Sequence, residues 1–124
     1  MPITVITDWH DLPAGQKGAA VAIGAFDGVH RGHQAVIGSA RDAARQLDAP
    51  LGVVTFEPHP RRWFQPDAAP FRLMSIDQMA SALEASGVDR LYALPFNADM
   101  AAMSDADFAR QVLAQGLSIA HASV

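Results

Sequence analysis

The sequence contains no cysteine. Disulfides, thiolate nucleophiles and cysteine-based zinc sites are excluded with it. It is also short of positive charge: nine Lys and Arg stand against thirteen Asp and Glu, a formal net charge of −4. That is the wrong sign for a general nucleic-acid binder, so any anion the chain holds must be met by a local site. No apolar run approaches the roughly 20 residues of a membrane span, and the first residues lack the basic region and apolar stretch of a leader peptide. The expectation is a soluble, cytoplasmic domain. Half of the residues are hydrophobic and 18% are charged, which argues against disorder. A chain of 124 residues suits one domain and can bury roughly two thirds of its surface on folding.

What the sequence does have is alternation. Residues 3–7 (ITVIT) are β-prone, and Asp8 to Gly18, with Pro13 and two glycines, reads as a surface connection. Residues 19–25 (AAVAIGA) form a continuous apolar run, the mark of a strand covered on both faces. From Gly32 to Leu47, Val36, Ala40, Ala43, Ala44 and Leu47 recur at helical spacing, and Asp48-Ala49-Pro50 stops the helix. A second buried strand is expected over 51–56 (LGVVTF). A long loop with two prolines and two aromatics, Trp63 and Phe64, follows; such loops in small domains are often functional. Ser75 with Gln78 makes a capping box for a helix over about 76–86, ended by Gly87. A strand over 91–96 (LYALPF) comes next. A helix opened by Ser104 and Asp107 then runs to about Gln115 with Gly116 as its stop, and another strand begins near His121. The pattern implies an α/β domain with a parallel sheet, whose ligand lies at the C-terminal ends of the strands where the strand order reverses.

The loop after the first core strand reads Gly24-Ala25-Phe26-Asp27-Gly28-Val29-His30-Arg31-Gly32-His33-Gln34. It is neither G-x-G-x-x-G nor a P-loop, which weakens the dinucleotide-oxidoreductase and P-loop NTPase readings. It offers instead two imidazoles, His30 and His33, around Gly32 at the start of a helix. Free helix N–H groups and two potential cations there suit a polyphosphate. Gly28 and Gly32 allow a close approach of backbone to ligand. The plainer reading is that the histidines cap the helix at the surface, and that Asp27 caps the following turn.

GAFDGVHRGHQ resembles the nucleotide-binding signature of bacterial-type FAD synthetases, members of the H-x-G-H nucleotidyltransferases. A second block, Thr55-Phe56-Glu57-Pro58-His59-Pro60, is similar to that family's T-F-[DE]-P-H-P, and the later Phe64-x-Pro66 also fits. The resemblance runs over essentially the whole chain. It implies a Rossmann-like sheet in which the strand near His121 lies beside the 19–25 strand. It also implies transfer of the AMP moiety of ATP to FMN, giving FAD and pyrophosphate, with Mg²⁺ accompanying ATP. By that resemblance His30 and His33 are the catalytic donors to phosphate. Gly24, Phe26, Asp27, Gly28 and Gly32 complete the ATP site with them. Pro58, Phe64 and Phe108 fall on the flavin contacts, and no metal ligands are assigned.

Other readings stand beside these. Phe108 is equally placed as helix core with Val112 one turn on, and Trp63 as a loop anchor. Arg61 and Arg62 fit either the FMN phosphate or a solvated face. Met100 and Met103 read as packing. The resemblance also implies later G-x-N-F-x-F-G and I-S-S-T-x-x-R segments and, in bifunctional members, a riboflavin kinase domain; none is among these 124 residues. The chain is therefore expected to be the front part of a nucleotidyltransferase domain, weak or inactive alone and prone to self-association through an incomplete sheet. A non-catalytic nucleotide- or flavin-binding role is one alternative. Another H-x-G-H enzyme, of cytidylyltransferase or pantetheine-phosphate adenylyltransferase type, is a second, against which T-F-E-P-H-P argues.

Overall fold

The apolar runs become the strands of one parallel sheet in a computed structural model, which describes residues 2–24, 31–57, 64 and 75–124. The strands are β1 (Thr4–Ile6), β2 (Ala20–Ile23), β3 (Leu51–Glu57), β4 (Arg90–Pro95) and β5 (His121–Ser123). Their order is β1-β4-β3-β2-β5, and every pairing is parallel. β5 lies beside β2 in the register Ala20↔His121 and Ala22↔Ser123, the placement the sequence led one to expect.

Burial explains why the central runs are apolar without interruption. Along β2, Ala20 and Ala22 join one core cluster while Val21 joins another. Along β3 and β4, Leu51, Val53 and Leu91 face the first cluster; Val54, Tyr92 and Leu94 face the second. Successive side chains in a strand point to opposite sides, so both faces of this sheet are covered.

Helix α1 (Arg31–Leu47) and helix α2 (Ile76–Ala85) belong to the first face, through Ile37, Ala40, Ala44, Met79 and Leu83. α1 ends where Asp48 takes a φ of 51° and Ala49 N–H donates to the Ala44 carbonyl at 2.9 Å. The capping box of α2 is complete: Gln78 N–H donates to Ser75 Oγ at 3.1 Å and Ser75 N–H to Gln78 Oε1 at 2.9 Å. Gly87 ends that helical turn with a φ of 84°, a value costly for any residue with a Cβ.

The second face is built from shorter pieces. Asn97 caps α3 (Ala98–Ala102), accepting from Met100 N–H at 3.0 Å. The sequence reading had no helix here, because five residues are too few to show a period. Ser104 caps α4 (Asp105–Asp107), which runs directly into a π-helical stretch over Phe108–Gly116. Ser104 and Asp107 form only half of a capping box: Asp107 N–H donates to Ser104 Oγ at 3.1 Å, while the Asp107 carboxylate accepts from Arg110 at 2.9 Å. The helical stretch ends at Gly116, as expected, though not through a left-handed glycine. The left-handed residue is Ser118, with a φ of 48°, and Gly116 serves close packing: a Cβ there would lie 2.8 Å from the Trp9 carbonyl oxygen.

The 8–18 connection is held from beneath. Arg90 donates to the carbonyls of Lys17 (2.9 Å) and Gly15 (2.7 Å), and the Tyr92 phenol donates to that of Gln16 at 2.7 Å. These bonds fix a single 3-10 turn, Ala14–Gln16, against the sheet.

Candidate functional site

The C-terminal ends of β2, β3 and β4 form one edge, and the chain leaves each of them there. At the end of β2, Gly24 extends the ladder by one step, its N–H donating to the Val54 carbonyl at 3.0 Å. Phe26, Asp27, Gly28 and His30 lie outside the described residues. Gly32 and His33 lie in the first turn of α1, where backbone N–H groups have no acceptor within the helix, and His33 is half-buried. The structure thus brings Gly24, Gly32 and His33 to one corner of the edge.

On the opposite face of the same edge stands a group of aromatic rings. Phe56 meets Phe96 edge-on at 5.8 Å between ring centroids, and Phe108 at 5.9 Å with a 55° tilt. Phe64, 66% exposed, stands edge-on to Phe96 at 6.1 Å. These are the separations and tilts that aromatic pairs prefer. Between the rings is a cavity of about 210 Å³ lined by Phe56, Phe96, Phe108, Met100 and Met103, with Ser104 and Asp105 beside them. That volume is below the roughly 300–1,000 Å³ of pockets that enclose a drug-sized ligand, so the slot is sized for part of a ligand.

Of the residues expected at a flavin site, Phe64 and Phe108 both come to this group, and Pro58 lies outside the described residues along with Trp63, Arg61 and Arg62. Phe108 packs on the second core cluster, as its helix-core reading has it, and also lines the cavity. Met100 and Met103 do more than pack, for they form part of the cavity wall. Phe56 and Phe96 had no assigned part. Strand alternation carries the signal that finds them: Phe56 shares its face with Val54, and Phe96 with Tyr92 and Leu94, so their rings must cover the second face at its C-terminal edge.

A second cavity of about 280 Å³ adjoins the first through Met100 and Met103 and is lined also by Trp9, His10, Asn97, Asp99 and Gln111. The Trp9 and His10 rings stack at 3.8 Å. The His10 ring bonds to Asp8 Oδ1 at 2.7 Å; this bond and the one from the His10 N–H hold the Asp8 carboxyl below its ordinary value. Among the described residues no group of three or more His, Asp or Glu side chains is placed to hold a metal ion, and no helix is long and apolar enough to cross a membrane.

A parallel sheet with a helix starting at its C-terminal edge and helices on both faces defines a Rossmann-like α/β domain. The FAD synthetase family model matches residues 12–124, and the chain belongs to that family. Its curated relatives include the bifunctional riboflavin kinase/FMN adenylyltransferase of Pseudomonas fluorescens, 44% identical over 115 residues, covering 93% of this chain and 37% of the relative. The protein of that description in Escherichia coli (strain K12) is 35% identical over 111 residues, 89% of this chain and 36% of its own length. That in Bacillus subtilis (strain 168) is 36% identical over 114 residues, 91% and 36%. The chain therefore spans little more than a third of the length of these relatives. Among solved structures, a macrolide-efflux protein from Streptococcus pneumoniae superposes with a TM-score of 0.77 at 25% identity, over 99% of this chain and 48% of that one.

Proposed function

We propose that residues 1–124 are the front part of an FMN adenylyltransferase domain, a cytoplasmic enzyme that transfers the AMP moiety of ATP to FMN, giving FAD and pyrophosphate. The observation that carries this reading is the meeting, at one edge of the sheet, of a phosphate-type corner (Gly24, Gly32, His33) and a ring-sized aromatic slot. An FMN phosphate oxygen attacks the α-phosphorus of ATP in line; the bond to that phosphorus forms as the bond to the bridging oxygen breaks, and pyrophosphate leaves. Little covalent work falls to the protein. Its residues position both substrates and meet the charge that builds on the phosphoryl oxygens. His33 and the first turn of α1 supply donors to those oxygens, with His30 as the second imidazole of the pair. Mg²⁺, a hard cation that prefers oxygen ligands, enters with ATP on its phosphates as part of the substrate. Phe56, Phe64, Phe96 and Phe108 hold the isoalloxazine ring, with Pro58 as a further contact. Phe26, Asp27 and Gly28 shape the nucleotide pocket. ATP and FMN are the partners of this reading, with no nucleic acid and no membrane. Self-association runs through β5, the last described strand on its side of the sheet.

The test joins these 124 residues to the remaining length of the Pseudomonas fluorescens relative and assays FAD formation from FMN, ATP and Mg²⁺ by chromatography, beside the chain alone. FAD made by the chimera, with little or none from the chain alone, is the expected result. A folded chimera that makes no FAD under conditions where the relative does so overturns the proposal.

A further inference from the structure

The aromatic slot is not apolar throughout, since Ser104 and Asp105 line it at one side. Ser104 Oγ already accepts from Asp107 N–H at 3.1 Å, so its hydroxyl proton is the group left to donate. The neighbouring carboxylates differ. Asp107 is paired with Arg110 at 2.9 Å, whereas Asp105 is exposed and has no ion pair or side-chain hydrogen bond among the described residues. The slot therefore presents one hydroxyl donor and one strong anionic acceptor beside walls that carry neither.

The isoalloxazine ring is polar at one end only. Its dioxopyrimidine edge carries C2=O, N3–H and C4=O, and the opposite ring carries two methyl groups. A carboxylate beside the methyl end would lose hydration for nothing, while beside the pyrimidine end it gains a charge-assisted hydrogen bond. The same negative charge repels the FMN phosphate and turns the ribityl phosphate away from α4, toward the start of α1 where the donors are. We infer that Asp105 accepts the flavin N3–H, with Ser104 donating to an adjacent carbonyl, and that this pair sets which way round the flavin enters the slot. The inference rests on the reading of the slot as the flavin site.

The probes are FMN and its N3-methyl derivative, titrated into the full chain and followed by flavin fluorescence. Wild type binds FMN about tenfold more tightly than the N3-methyl compound, the size of one hydrogen bond to a charged group. Asp105→Ala weakens FMN to that level and abolishes the preference; Asp105→Asn, which keeps a carbonyl acceptor, retains part of it. Asp105 is exposed at a helix start, so its replacement leaves the core intact. FMN binding with no preference in wild type overturns the assignment, as does a preference that Asp105→Ala keeps, which would place the methyl clash elsewhere. Binding of neither flavin overturns the slot reading, and the assignment with it.

Discussion

The two faces of the sheet are packed in different ways. On the α1–α2 face, small residues of the strands (Ala20, Ala22) meet small residues of α1 (Ala40, Ala44), and two regular helices lie close to the sheet. On the other face, rings and thioethers (Tyr92, Phe56, Phe96, Phe108, Met100, Met103) are covered by α3, α4 and a π-helical stretch that break and restart within twenty residues. Close packing of small side chains holds a helix start in a fixed place, which is what a charge-neutralising corner needs. Large rings under broken helices leave space, and the ring-sized slot is in that space. π-Helical turns are frequent at functional sites. The difference assigns rigidity to the face that carries α1 and adaptability to the face that carries the slot.

The comparison breaks most visibly in the α1–α2 core. Leu83 is fully buried there, so Leu83→Ala should cost about 2–5 kcal/mol of stability. Urea unfolding followed by circular dichroism reads the loss; a change below about 1 kcal/mol would mean that this face repacks easily and is not the rigid one. His33→Ala comes next. In the active chimera it should slow FAD formation by roughly 10²-fold, the usual effect of losing one donor to developing charge, with FMN affinity kept. Near-unchanged turnover removes His33 from the donor set.

Phe64→Ala sharpens the contrast from the other side. The ring is mostly exposed, so its loss should leave the melting temperature where it was and weaken FMN by about 0.5–1.5 kcal/mol, with ATP binding unaltered. Equal weakening of both ligands would show that the two faces are not separable. The smallest effect belongs to Asp8, beside the second cavity. Its carboxyl is held below the ordinary 3.8 by the His10 ring bond first. A lowered folded value means stabilisation present above the unfolded value and lost as pH falls through the folded one. Asp8→Asn should therefore lower stability slightly at pH 7 and flatten the profile below about pH 4, where the wild type loses the same contribution; urea unfolding at the two pH values checks it.

Much of this architecture is legible from residue order alone, and the reasons are local. AAVAIGA and LGVVTF announce strands buried on both faces, and Ser75 with Gln78 announces a helix start, because neighbours in sequence decide each. The part played by Gly116 is not local: it leaves room for the Trp9 carbonyl, more than a hundred residues away. Likewise His33 stands out as part of a four-residue motif. Phe56, Phe96 and Phe108 become one wall only when β3, β4 and the last helix come together, and nothing within a window of sequence links them. Phe108 packs on the core and lines the cavity at once, because a ring at a cavity wall has one face for each.

The clamp beneath the 8–18 connection bears on proteolysis. Lys17 is the only lysine in the sequence and sits, half-buried, in a turn that an endoprotease cutting after lysine would have to draw into an extended strand. Such an enzyme engages the backbone of its target, and here the carbonyls of Gly15, Gln16 and Lys17 are already taken by Arg90 and Tyr92. Cleavage of the folded chain must wait for local opening. A lysine-specific digest should leave the native chain whole far longer than the Arg90→Ala variant, whose freed turn would be nicked at this one bond into pieces easily resolved on a gel.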